Sequence, residues 1–382
     1  MNKKIFIVLT VLIICYWFLF DFLRWIQYDS PSFIGGARLM FGLDGGYDFQ
    51  SRLTKPLALI LPGLTEFLFK VSPAYIFFLQ NIVLFYLCGF FIYKINKIIF
   101  KDEKIAFIGM LVYVTCQPFA IFSLFVMTDV CGWFFGILSI YLTLSVIQNR
   151  FFEEKKSLFI IGLMTGLGFL FKESSIIGLI FAFSYVIVNK TINKIRFRQI
   201  MYIMLGFIIP VLISFLLIEN FFHDSVIKRI IYSHHSVAND EYKFSNVKQI
   251  YRIVDEYWFL FLIGIVSFVK NFKNINPVYK TFLLALLISF VLMPIWPYFN
   301  DRILFMTGPF ILMFIISGVT KLKQFALPIV VIGGLINIMT AFIIYKYNPA
   351  GLLYFSSAVY LILLSVFWWF LYKKDSIRVL LQ

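Results

Sequence analysis

Charge is what this sequence has least of. Asp, Glu, Lys and Arg make up 14% of its 382 residues, against roughly 25% in a soluble domain. That shortage excludes a water-soluble globular protein of this size. Cysteine and histidine are scarce too, at four and three residues. Cys15, Cys88, Cys116 and Cys131 all stand in apolar runs without metal-ligand spacing, so they read as buried, inert thiols. Adjacent His234 and His235 point to different faces of any helix or strand and have no acidic or Cys partner at ligand spacing. Neither a metal nor a cofactor is implied. A glycine-rich phosphate loop, a soluble domain and an internal repeat are all missing as well.

What the chain has instead is apolar length. It is 61% hydrophobic and contains 49 Phe, and a membrane-crossing helix needs about 20 apolar residues. The expected fold is an all-α polytopic membrane bundle forming a single domain over 1–382. About twelve spans (11–13) are expected, near 5–23, 73–99, 105–123, 130–147, 158–172, 174–189, 200–219, 257–270, 281–299, 303–320, 325–345 and 352–372. Lys172 and Glu173 would be costly at mid-membrane, so 158–189 reads as two short spans meeting at one face.

The net charge of +15 does not call for nucleic acid. "MNKK" precedes the first apolar run, and no small-residue cleavage site follows it, so an uncleaved first span with a cytosolic amino terminus is expected. Alternating spans from there puts essentially the whole positive excess on the inner loops. Both termini then lie in the cytosol, and two long loops, 24–72 and 220–256, lie outside. The Lys-, Ile-, Phe- and Asn-rich usage suggests an AT-rich bacterium and hence its plasma membrane.

The outer side also collects the ionisable residues. Asp29, Asp44, Asp48, Arg38, Arg52 and Lys55 sit in the first loop, Asp129 at the turn before 130–147, Lys172 and Glu173 at the next outer turn, and Asp301 and Arg302 before 303–320. Ionisable groups gathered from separate helix ends at one face are what an interfacial active site requires. Within the first loop, Phe33, Ala37 and Met40 recur at helical spacing, which predicts a helix resting one face in the interface. "LALILPGLTEFLF" is too short to span and is expected to lie along that interface.

The order of these features resembles the GT-C membrane glycosyltransferases, in particular the branch holding the protein O-mannosyltransferases and the lipid A aminoarabinose transferase. "DSPSF" at 29–33 with Ala37 is similar to the family's first acidic motif. Lys55-Pro56 resembles its K-P step, and "FVMTDVCGW" with Asp129 its second acid. "GLMTGLGFLFKESS" is similar to its Gly-rich run ending in Lys172, and "DRILFMTGPF" to its late Arg/Pro motif. Ser30 and Ile303 depart from that pattern. The resemblance implies transfer of a sugar from a polyprenyl-phosphate donor to an acceptor hydroxyl of a lipid, glycan or protein. It implies Asp29 as base, Asp129 as second acid, and Lys55, Lys172 and Arg302 as cations for the lipid phosphate. Asp48, Glu173 and His234 are then candidate acceptor or sugar contacts. Two other readings compete: an O-antigen polymerase or ligase relying on Arg229 or His234, and a lipid or solute transporter.

Overall fold

The computed structural model describes residues 3–22, 29–45, 52–149, 154–189, 193–222, 225, 227–229, 231, 259–271, 276–292, 302 and 305–347. Among them every regular element is helical. The order is α1 (Lys3–Phe20), α2 (Ser30–Met40), α3 (Pro56–Phe69), α4 (Pro73–Phe100), α5 (Glu103–Val114), α6 (Gln117–Phe122) and α7 (Asp129–Asn149). There follow α8 (Glu154–Phe169), a 3-10 turn (Glu173–Ile176), α9 (Ile177–Asn189), α10 (Asn193–Phe222), α11 (Phe259–Asn271) and α12 (Pro277–Leu292). A second 3-10 turn (Phe305–Thr307) leads into α13 (Gly308–Val319), and a third (Thr320–Phe325) joins it to α14 (Ala326–Tyr347). Five stretches of the described residues are long and apolar enough to cross a membrane, as a multi-pass protein requires.

Most expected spans appear as helices within a few residues of their predicted limits. The span expected at 352–372 lies outside the described residues. The span expected at 105–123 is instead broken in two at Thr115 and Cys116. Pro118 favours the break: it has no N–H to donate to the preceding turn, and it suits the first turn of a new helix, where it sits in α6. The 158–189 stretch is two helices, as expected, with Lys172 and Glu173 in the turn between them. All four cysteines are free, and three are buried.

Glycines set the closest helix pair. A Cβ on Gly162 would collide with the Ile203 carbonyl, one on Gly206 with the Phe159 carbonyl, and one on Gly166 would crowd Pro210. The backbones of α8 and α10 therefore touch, the usual means of joining helices in lipid, where no hydrophobic force drives them together. Gly162→Val should separate them, costing about 1–3 kcal/mol by overpacking and lowering the unfolding temperature of the detergent-solubilised protein.

The main core is aromatic. Phe305, just before α13, packs on Trp133 at 4.7 Å, Tyr113 at 5.0 Å and Phe119 at 6.1 Å between ring centroids. These rings come from α5, α6 and α7, so they pin the entry to α13 and, three residues upstream, Arg302. The two short helices of the first loop pack on each other. A Cβ on Gly63 of α3 would strike the Ala37 carbonyl of α2, and Arg38 grips Glu66 through both carboxylate oxygens at 2.9–3.1 Å. Phe33 and Ala37 thus face protein, not lipid. This corrects the interfacial face predicted for α2. The exposed apolar face belongs to α3 instead, at Leu61, Leu64, Phe67 and Leu68.

Candidate active site

Five segments bring helix N-terminal ends to one place. Asp29 is the residue before α2, Lys55 the residue before α3, and Asp129 the first residue of α7. Lys172 and Glu173 open the 3-10 turn that runs into α9, and Arg302 precedes the turn into α13. Such ends present unpaired N–H groups and partial positive charge. Bare Gly132, almost one turn into α7, lets the 172–174 turn lie directly on that helix, since a Cβ there would meet Lys172 Cβ at 2.8 Å.

The charged side chains form one alternating ladder. Arg52 Nη2 lies 3.1 Å from Asp29 Oδ1. Arg302 then bridges two carboxylates, reaching Asp29 Oδ2 at 3.2 Å and Asp129 Oδ2 at 3.4 Å. Lys172 Nζ stands 3.8 Å from Asp129 Oδ1 and 3.9 Å from Glu173 Oε1. Lys55 closes the series by pairing with Glu173 Oε2. Among the described residues, four cations therefore face three carboxylates, a surplus of one positive charge in the ladder.

Aromatic faces hold every cation of the ladder. Arg52 lies 4.6 Å and Lys172 5.9 Å from the Phe33 ring centroid, Lys55 5.1 Å from Phe169, and Arg302 5.6 Å from Phe122. Arg52 Nε also donates to Ser32 Oγ at 2.7 Å, and that hydroxyl donates to the Asp29 carbonyl at 2.6 Å.

Burial sorts the acids. The Asp29 side chain is 34% exposed, Glu173 20% and Asp129 4%, so Asp29 is the carboxylate most open to a substrate. Burial alone would raise the Asp29 carboxyl, but Arg52, Arg302 and Lys172 outweigh it and hold the pKa below the ordinary carboxylate value. Burial opposes the charge on Glu173 too, yet Lys55 and Lys172 hold that carboxyl far below the usual range. At Lys55 burial wins over the attraction of Glu173, and the ammonium pKa is lowered.

Six residues singled out by sequence thus lie together in space: Asp29, Asp129, Glu173, Lys55, Lys172 and Arg302. Asp48 and His234 lie outside the described residues. Arg52 received no role from sequence, although it shares the first loop with Asp29 and so was within reach of the same argument. Ser32 and the Phe33 ring carried no separate signal.

Residues 56–219 match the family described as dolichyl-phosphate-mannose-protein mannosyltransferase, a stretch that includes Asp129, Lys172 and Glu173. In three dimensions the chain is similar to the archaeal oligosaccharyltransferase AglB from Archaeoglobus fulgidus, solved with an inhibitory peptide and a dolichol-phosphate. The TM-score is 0.53 at 12% identity over 91% of this chain. The shared fold is an all-α, multi-pass membrane bundle. It spans 56% of the AglB chain. No curated protein matches it in sequence. In this bundle, the ladder occupies the end at which α7, α9 and α13 begin. The turn between α4 and α5, with Lys97, Lys101 and Lys104, lies at the opposite end of α4.

Proposed function

We propose that the protein is a glycosyltransferase that moves a sugar from a polyprenyl-phosphate donor to an acceptor hydroxyl at the extracytoplasmic face, with inversion. The observation that carries this reading is the ladder itself. One positive surplus, ringed by helix N-terminal ends, suits a singly charged lipid phosphodiester, whose charge grows as it leaves. The names of both comparisons fit the donor class, one through dolichyl-phosphate-mannose and the other through bound dolichol-phosphate. The basic α4–α5 turn, opposite the ladder, favours the cytosol for that end by the positive-inside rule.

In the proposed step the acceptor oxygen forms a bond to the anomeric carbon as the bond from that carbon to the phosphate oxygen breaks. The bonding electrons go to the phosphate, and the acceptor proton goes to Asp29. A single displacement inverts the anomeric centre. Arg302, Lys172, Arg52 and Lys55 stabilise the leaving phosphate. Asp129 and Glu173 hold those cations in place, and Asp129 also orients the acceptor. As Arg52 and Arg302 turn toward the phosphate they release Asp29, whose basicity rises as acceptance of the proton is needed.

The test is the envelope glycan profile of a deletion strain by mass spectrometry. The strain is complemented at matched protein levels with wild type, Asp29→Asn or Arg229→Ala. One sugar should disappear on deletion and return with wild type and Arg229→Ala, but not with Asp29→Asn. A profile unchanged by deletion would overturn the proposal.

A further inference from the structure

Directly before Asp129 lies a segment that no apolar bundle needs. Residues 123–128 are non-helical, yet all are buried. Irregular backbone at such a place has no water to bond, so its carbonyls must find partners within the protein. Asn81, fully buried on α4, supplies them. Its side-chain amide donates to the Phe125 carbonyl and, at 3.0 Å, to the Met127 carbonyl. The Met127 amide closes the same turn on the Phe125 carbonyl at 2.6 Å.

What Asn81 grips is one step from the charged ladder. Met127 Sδ lies 3.1 Å from Arg302 Nη1, and the same nitrogen reaches Asp129 two residues later. Neighbouring Gln80 donates to Cys131 Sγ at 3.3 Å, just past Asp129. The two amides therefore bracket Asp129 from α4. Packing gives no reason for a polar residue here: the buried positions about one turn to either side are Phe77, Phe78 and Phe85. Asn81 Oδ1 is buried without a partner among the described residues, a cost that an apolar side chain would avoid.

We infer that Asn81 is a positioning residue of this site: it fixes the 123–128 segment so that Met127 and Asp129 hold the Arg302 guanidinium in place. The inference rests on the lipid-phosphate reading above. Its test is a double-mutant cycle on the binding of farnesyl monophosphate, a short polyprenyl monophosphate, to the detergent-solubilised full chain.

Asn81→Leu should weaken binding about tenfold, within the range of coupling seen between residues of one network. Asn81→Gln, which keeps both donors, should recover most of that loss. In an Arg302→Gln background, Asn81→Leu should change the Kd by less than about twofold, because the group it positions is gone. If Asn81→Leu does not accumulate, Asn81→Ser, which keeps one donor, is put through the same cycle. Wild-type affinity in the Asn81 variant, or an equal fold-loss in both backgrounds, would leave Asn81 a plain packing residue and overturn the inference alone. An Arg302→Gln protein that binds like wild type would overturn the lipid-phosphate reading and this inference with it.

Discussion

Asp29→Asn should slow sugar transfer by about 10²–10⁴-fold, the usual contribution of a general base, while farnesyl monophosphate binds at least as tightly as to wild type, because one carboxylate charge is removed from the ladder. Asn matches the shape of Asp and keeps an oxygen for Arg52 and Arg302, but it cannot take the acceptor proton. The comparison requires initial rates with the donor identified from the deletion strain, set beside Kd values for the same preparations. A rate within tenfold of wild type would remove Asp29 as the base. The pH profile adds an independent check. Because neighbouring cations hold the Asp29 pKa below its ordinary value, the carboxylate remains ionised through the mildly acidic range, and wild-type transfer should stay level from about pH 5 to 7. For stability the sign is that of a depressed acid. The Asp29 pairs contribute in full above the unfolded value of about 3.9, and the contribution is lost as pH falls through the lower folded value.

Arg302→Gln carries the second large effect. It should weaken farnesyl monophosphate binding by about 30-fold or more, as removal of a buried charge partner costs ~2–5 kcal/mol. Two consequences of the substitution add together. The ladder falls from four cations and three carboxylates to an even balance, so the surplus that attracts an anion disappears. Asp29 and Asp129, both bridged by one guanidinium at 3.2 and 3.4 Å, lose the fork that separates them. Arg302→Lys should restore the charge but little of the affinity, since a single ammonium cannot span two carboxylates as a planar fork does. Titration of the two variants beside wild type checks both points.

Much of this was legible in the amino-acid sequence. Span positions follow from apolar length alone, because the hydrocarbon thickness permits few solutions. The Lys172–Glu173 turn was readable because two charges cannot sit at mid-membrane. Motif order was enough to assemble Asp29, Asp129, Lys55, Lys172 and Arg302. The break between α5 and α6 was missed although Pro118 marks it, because the apolar run continues straight through. Contacts made by single side chains across the bundle left no pattern to read. Asn81 meets its carbonyl partners 44 and 46 residues away, and nothing about one Asn in an apolar run says which backbone it will meet. Phe33 was placed on the correct helix but given the wrong environment. A face of Phe, Ala and Met looks the same whether lipid or α3 covers it.

The bridging arginine also bears on how the protein matures. Of the seven ladder residues, six lie between positions 29 and 173, while Arg302 comes far later in the chain. A nascent chain inserted as far as α10 holds three acids and three bases of the described ladder, an electrically even set. Only when the segment carrying Arg302 arrives, with Phe305 lodging among the rings of α5, α6 and α7, does the balance of the described ladder turn positive. On the proposed reading, capture of a charged lipid is thereby deferred until the last third of the bundle is in place.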